Sequence, residues 1–197
     1  MENITGIILA GGKSLRMGQD KAFLTLEGKA LVDSLCQLLH RLFPQVVIVT
    51  NSPLKFLSLN ADIVTDIYPH MGALGGIFTG LVFSSHPYSF VVACDMPFVS
   101  ERLVKYMAGL KDGYDVVIPE GEAGLEPLHA IYSKNCLKPI KRLLKENNLK
   151  IIDFFPALRV RKVKKEELKP FLETVPALFN INTPADYEQA VRIGKEG

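Results

Sequence analysis

Residues 4–21 read ITGIILAGGKSLRMGQDK, and the fold turns on how that stretch is divided. Ile4 to Ala10 is apolar and β-branched, the pattern of a buried first strand. It stops at Gly11-Gly12, where a backbone without Cβ can take positive φ and lie against a ligand. Lys13, Ser14, Arg16 and Lys21 follow within ten residues of that turn. Backbone N–H groups with convergent cations suit a polyphosphate: the amides cradle oxygens and the side chains neutralise spreading charge.

Two familiar phosphate loops are excluded. A Walker A loop needs a glycine five residues before its Gly-Lys-Ser, and the position before Gly12-Lys13-Ser14 holds Ile7. The dinucleotide fingerprint fails too, because Gly11, Gly12 and Gly18 lack G-x-G-x-x-G spacing. What remains is G-G-x-S-x-R-M-G-x-D-K. That loop resembles the signature of sugar-nucleotide and cofactor nucleotidyltransferases, which place a nucleoside monophosphate on a phosphorylated acceptor. The competing reading is a tight glycine turn with solvated basic residues; the number of matched positions weighs against it.

The chain has 197 residues, enough for one domain with a core that needs no disulfide or metal staple. It is 48% hydrophobic and 22% charged, ordinary for a globular protein. A net charge of +2 excludes the basic excess of a nucleic-acid binder. The one basic cluster, Arg159 to Lys165, alternates with Val160 and Val163 and reads as an exposed strand edge or face. Cys36, Cys94 and Cys136 are far apart and odd in number, so no zinc site or disulfide framework is expected. Reduced thiols fit a cytoplasmic setting. No basic leader precedes the first apolar run, and no run approaches the ~18 residues of a membrane span.

Past the loop, Leu26-Glu27-Gly28-Lys29 reads as a tight turn. A helix follows on Leu31, Leu35, Leu38, Leu39 and Leu42, before Pro44. Val46 to Thr50 is a second buried strand, ending at Asn51-Ser52-Pro53, and Asp62 to Thr65 a third, ending at Asp66. A glycine-rich loop, Pro69 to Gly76, leads into a helix with Leu74, Ile77, Phe78, Leu81 and Val82 on its apolar face. Phe90 to Ala93 is a fourth strand, closed by Cys94-Asp95-Met96-Pro97-Phe98. Ser100 caps the next helix, and Val116 to Ile118 is a strand. Beyond Pro119 the pattern loosens into a strand over Glu126 to Tyr132, a helix over Leu137 to Leu144 and a short helix at Ile151 to Phe155. A strand over Arg159 to Val163 follows, and a last helix is capped by Thr183 with Pro184 at its first position.

Alternating strands and helices predict a single α/β domain with three layers, a mainly parallel sheet flanked by helices. Its nucleotide-binding half would span about residues 1–118 and its acceptor-binding half about 119–197. Ligands of such sheets sit at the carboxyl ends of the strands, so Gly11-Gly12, Asn51, Asp66 and Asp95 should converge. Asp95, ending a buried strand, must be hydrogen-bonded, paired or bound to a cation; facing a triphosphate it would hold Mg²⁺. Its plainer role would be capping the turn into Pro97. Lys21 and Arg16 would bind phosphates, or else lie solvated at the surface. Ala22, Phe23 and Leu24 tie Lys21 to the core. Asn51 and Asp66 can read a base edge or a ribose hydroxyl, or can serve as turn residues. Asn180 and Asn182 flank Ile181, so a period of two puts both on one face toward a polar substrate. His70 and His129 read as structural or solvent-facing.

Four blocks carry a closer resemblance: LAGGKSLRMGQDKAFL at 9–24, MGALGGI at 71–77, CDMPF at 94–98 and FNINTPAD at 179–186. With them the chain resembles molybdenum cofactor guanylyltransferases over nearly its whole length. The first block is shared across the nucleotidyltransferase superfamily; the last two belong to the molybdenum cofactor branch. The resemblance implies a Rossmann-like nucleotide-diphospho-sugar transferase fold and GMP transfer from GTP to the cofactor's terminal phosphate. It assigns the GTP site to Leu9, Ala10, Gly11, Lys21, Asn51 and Asp66, within the loop whose Gly12 and Ser14 also suit a nucleotide's phosphates, GTP and Mg²⁺ to Asp95, and the pterin side to Asn180 and Asn182. It also implies molybdoenzymes or cofactor-synthesis proteins as partners, and neither nucleic acid nor membrane. Ala73 stands where the family usually has proline, removing a fixed φ from that loop. The alternatives are a cytidylyltransferase on the same cofactor, differing only in base readout, or a nucleotide-binding module without catalysis.

Overall fold

The computed structural model describes residues 1–11, 21–122, 124–173 and 176–196. Strand β1 (Ile4–Leu9) is buried along its whole length. After the 3₁₀ turn Lys21–Phe23 come β2 (Thr25–Leu26) and β3 (Lys29–Ala30), an antiparallel hairpin. Its two turn residues, Glu27 (φ 51°) and Gly28 (φ 78°), are both left-handed, as a tight two-residue hairpin turn requires. Helix α1 (Leu31–Leu42) buries Leu31, Leu35, Leu39 and Leu42 of the leucine stripe that the spacing predicts, while Leu38 is only half-buried at its flank. Then follow β4 (Gln45–Val49), β5 (Asp62–Val64), α2 (Gly72–Phe83), β6 (Tyr88–Ala93) and α3 (Glu101–Gly109). Ser100 caps α3, its hydroxyl accepting the Leu103 N–H at 3.3 Å. The rest is β7 (Val116–Gly121), β8 (Gly124–Leu125), β9 (His129–Ser133), α4 (Leu137–Lys145), a 3₁₀ stretch Ile151–Ala157, β10 (Val160–Val163), α5 (Lys165–Leu172) and α6 (Pro184–Glu196).

The main sheet runs β10-β7-β9-β6-β1-β4-β5, with β8 added onto β7. Among the described strands of this sheet, only β9 and β8 run antiparallel to their neighbours. The carboxyl ends of β1, β4, β5, β6 and β7 therefore share one edge of the sheet, where β9 begins. Along β1, Ile8 faces a layer holding α1, α3 and α5, and Ile7 faces a layer holding α2 and α4. This is the three-layer α/β arrangement expected. Helix α2 lies close on β1: a Cβ on Gly80 would stand 2.6 Å from Ile7 Cγ2, and one on Gly76 would stand 3.2 Å from Leu9 Cδ2.

Four details depart from the sequence reading or sharpen it. Val82 is 41% exposed, because it sits on the flank of the stripe formed by Leu74, Ile77, Phe78 and Leu81. The strand expected from Glu126 begins only at His129, since Glu126 to His129 forms a turn closed by His129 N–H to Glu126 O at 3.1 Å. The basic stretch Arg159 to Lys165 supplies the edge strand β10, with Arg161 paired to Glu167. His129 is a core residue: burial pulls its pKa down to about 3, and its neutral ring meets Phe90 edge-on at 5.1 Å. Among the described residues, no helix is long and apolar enough to cross a membrane.

Candidate active site

The sheet edge places the candidate residues in two groups. In the first, β1, β4 and β5 end beside one another, bringing together Gly11, Asn51 and Asp66. Asn51 Nδ2 donates to Asp66 Oδ2 at 3.4 Å. A Cβ added to Gly11 would stand 3.6 Å from Asn51 Nδ2 and 3.9 Å from Asp66 Oδ2, which puts the Gly11 backbone directly against both side chains. Asp66 also accepts from the Thr79 hydroxyl at 3.2 Å, and that same hydroxyl takes the Ile67 N–H at 3.0 Å. Burial raises the Asp66 pKa above the usual carboxylate value, against the opposing hydrogen bonds from Thr79 and Asn51. Leu9 and Ala10 are tied into the sheet: Ala10 N–H reaches Val49 O at 2.9 Å, and Leu9 O accepts Cys94 N–H at 3.1 Å.

In the second group, Lys21 Nζ lies 3.3 Å from Asp95 Oδ2 and donates to Asn182 Oδ1 at 3.0 Å. The Lys21 and Asp95 side chains are 14% and 20% exposed, partly desolvated yet within reach of a ligand. Lys21 opens a 3₁₀ turn anchored by buried Ala22 and Leu24. Leu24 packs with Leu31, Ile181 and Ala190 in a small separate core that Phe98, Phe179 and Tyr187 border. That core sets the residues after the glycine loop against the start of α6. The Tyr187 hydroxyl adds a bond to Thr25 O at 2.6 Å, and Ile181 N–H donates to Asp95 O at 2.9 Å.

The expectation that Asn180 and Asn182 share a strand face is not met, because residues 179–183 form no strand. The Asp186 carboxylate accepts the N–H groups of Asn182 (2.9 Å) and Thr183 (2.7 Å), which makes the segment a helix-capping turn. The Thr183 hydroxyl in turn accepts the Asp186 N–H at 3.2 Å. Asn180 turns back on Leu178 O at 3.3 Å, and Asn182 reaches Lys21. Gly12, Ser14 and Arg16 lie outside the described residues.

Two participants escaped the sequence reading. Thr79 was signalled only as a hydroxyl in an otherwise apolar helix. Asp186 was signalled by the Thr183-x-x-Asp186 spacing of a reciprocal cap. Among the described residues, no three His, Cys, Asp or Glu side chains gather as a metal cluster. Asp95 is nevertheless the kind of partly exposed single carboxylate that suits Mg²⁺, which takes one or two carboxylates and completes its shell with phosphate oxygens and water.

A family model described as the MobA-like NTP transferase domain matches residues 6–159. A relative from Desulfosudis oleivorans, named molybdenum cofactor guanylyltransferase, is 39% identical, covering 100% of this chain and 98% of that one. The crystal structure of molybdopterin-guanine dinucleotide biosynthesis protein A from Archaeoglobus fulgidus superposes with a TM-score of 0.85 at 28% identity, over 98% of this chain and 100% of that one. A 2-C-methyl-D-erythritol 4-phosphate cytidylyltransferase from Thermus thermophilus shares the fold, with a TM-score of 0.71 at 16% identity over 96% of this chain and 98% of that one. With Gly11, a lysine–aspartate pair and an asparagine-bearing cap at one sheet edge, and relatives that match it end to end, the chain belongs to the MobA-like NTP transferase family.

Proposed function

We propose that this protein transfers GMP from GTP to the terminal phosphate of the molybdenum cofactor and releases pyrophosphate. The observation that carries the reading is the Lys21–Asp95 pair, which stands between the Gly11–Asn51–Asp66 corner and the turn holding Asn180 and Asn182. We assign the nucleotide to the first half of the chain and the acceptor to residues after about 119. Gly11, Gly12, Ser14, Arg16 and Lys21 would hold the phosphates, while Asn51 and Asp66, with Leu9 and Ala10 as their floor, would read the nucleoside. Asn180 and Asn182 would face the acceptor. Asp95 would hold Mg²⁺ against the triphosphate, where the ion supplies charge neutralisation.

An oxygen of the acceptor phosphate attacks the α-phosphorus in line as the bond to the β-phosphate oxygen breaks and pyrophosphate leaves. The attacking oxygen is already anionic, so the site needs no general base. Its work is positioning and the stabilisation of charge by the Lys21 ammonium and the Arg16 guanidinium. The names of the relatives support guanine over cytosine, and the retention of Lys21 and Asp95 argues against a module without catalysis. A cytoplasmic location fits the odd number and wide spacing of Cys36, Cys94 and Cys136.

Calorimetric titration with GTP and with CTP, each with and without Mg²⁺, tests the reading alongside a transfer assay on the isolated cofactor. We expect Mg²⁺-dependent binding of GTP, weakened in Asp95→Ala, and formation of the dinucleotide. Preference for CTP would move the chain to the cytidylyl reaction, and binding of neither nucleotide would overturn the proposal.

A further inference from the structure

One half-buried carboxylate at this sheet edge has no task in the scheme above. Glu126 sits in the turn between β8 and β9, its N–H donating to Pro119 O at 3.0 Å and its carbonyl accepting His129 N–H at 3.1 Å. Those bonds fasten its backbone to β7 and to the start of β9. Its Oε1 lies 3.4 Å from where a Cβ on Gly121 would stand, and Leu178 Cδ1 crowds the same point at 3.4 Å. Burial raises the Glu126 pKa, and among the described residues no hydrogen bond or neighbouring charge offsets it. A carboxylate is acceptor-only, so a partly dehydrated one with no donor among the described residues has capacity for N–H groups.

Its place relates that capacity to the reaction. Leu178, which like Glu126 lies against Gly121, accepts the Asn180 amide at its carbonyl, and Ile181 just beyond donates its N–H to Asp95 O. Glu126 therefore adjoins the turn assigned to the acceptor. At the opposite end of the edge, Asp66 follows β5, four inter-strand steps from β9. At about 4.8 Å per step the axes of β9 and β5 stand roughly 19 Å apart. Asp95 ends β6, which lies between β9 and β5 in the sheet order. A dinucleotide of guanine and pterin presents the same edge at both ends of a diphosphate: a 2-amino group beside a ring N–H. Two parallel N–H donors match the two oxygens of a carboxylate.

We propose that Glu126 is a specificity residue that accepts both N–H groups of the 2-amino-4-oxopyrimidine edge of the acceptor's pterin, as the counterpart of Asp66 at the guanine end. This rests on the transfer reaction proposed above, and its failure is separable from failure of that reaction.

The test uses the full chain with a non-reactive GTP analogue saturating the nucleotide end, so that the probes meet only the acceptor end. Fluorescence titration compares 6-hydroxymethylpterin with 6-hydroxymethyllumazine, in which a carbonyl oxygen replaces the 2-amino group. The wild-type chain should prefer the pterin by roughly 10- to 100-fold, because the lumazine turns an acceptor toward a carboxylate. Glu126→Gln, which preserves shape, should abolish that preference while leaving GTP affinity unchanged. A wild-type chain that binds both probes alike, or binds neither, overturns the proposal even if Glu126→Gln does not fold; so does a folded variant that keeps the preference. If GTP binding and transfer persist in that case, only the pterin assignment falls. Loss of GTP binding in the wild type would instead overturn the proposed function.

Discussion

The Lys21 ammonium donates to the Asn182 amide oxygen across 3.0 Å, although 161 positions separate the two residues. The small core of Leu24, Leu31, Ile181 and Ala190 brings them together. One cation thus touches both the carboxylate proposed for the nucleotide side and the turn proposed for the acceptor side. Lys21→Met should lower kcat by about 10²- to 10³-fold, the usual effect of removing one preorganised donor from a transition state. Asn182→Leu should lower kcat by roughly 10-fold, since Lys21 keeps Asp95 but loses its second anchor. The two effects should combine less than additively, because both act through one ammonium. Steady-state kinetics on the single and double variants checks this; full additivity would separate Asn182 from Lys21.

Asp66 offers a second prediction. Its pKa is raised by burial, so protonation begins at higher pH than for an ordinary carboxylate. If the ionised form accepts the guanine N–H edge, the KM for GTP should rise as pH falls toward that raised pKa, with kcat moving less. Asp66→Asn should weaken GTP roughly 10- to 100-fold at neutral pH and flatten the acid limb of the profile. A variant whose GTP profile keeps the wild-type acid limb would remove Asp66 from base recognition.

Much of this arrangement was legible in the sequence, for local reasons. Continuous β-branched runs mark strands covered on both faces, and residues after such runs must lie at the carboxyl edge of a parallel sheet. Gly11, Asn51, Asp66 and Asp95 could be grouped that way from their positions alone. Partners set by packing between distant segments were not legible. Asn182 was expected on a strand face because Asn-Ile-Asn alternates, but the Asp186 carboxylate draws its N–H into a helix cap. Thr79 meets Asp66 only because α2 lies close on β1, a contact set by Gly80 and Ile7. Glu126 looked like strand until Pro127 and the bond to His129 made it a turn.

That close approach of α2 to β1 is itself testable. A Cβ on Gly80 would meet Ile7 Cγ2 at 2.6 Å and Cδ1 at 2.8 Å, and Ile7 is fully buried. Gly80→Ala should destabilise the fold by about 2–3 kcal/mol, outweighing the better helix propensity of alanine. Gly109, the last residue of α3, has open space around its missing Cβ. Gly109→Ala should stabilise by roughly 0.5–1 kcal/mol. Urea unfolding of both variants reads the contrast; equal effects of one sign would mean that packing against Ile7 is looser than the distances indicate.

The last prediction concerns acid. Asp115 lies just before β7, only 6% exposed. Burial pushes its pKa up, but hydrogen bonds from Asn135 Nδ2 (2.7 Å), Arg159 N–H (3.0 Å) and Arg159 Nε (3.3 Å) outweigh burial and hold it at about 2. A carboxyl depressed in the folded state stabilises the fold above its unfolded pKa, and that contribution is lost as pH falls through the folded value. Against an unfolded pKa of about 3.9, this is on the order of 2–3 kcal/mol at pH 7 and about half of that at pH 3. Asp115→Asn should therefore lower the urea midpoint clearly at pH 7, and the gap to wild type should narrow by about half at pH 3. Buried His129, with its pKa near 3, also weakens the fold on acidification as it is forced to charge. It does so in both chains, so the difference isolates Asp115. A gap as wide at pH 3 as at pH 7 would show that the asparagine harms packing and that the charge on Asp115 is not what holds Arg159 and β10 to the sheet.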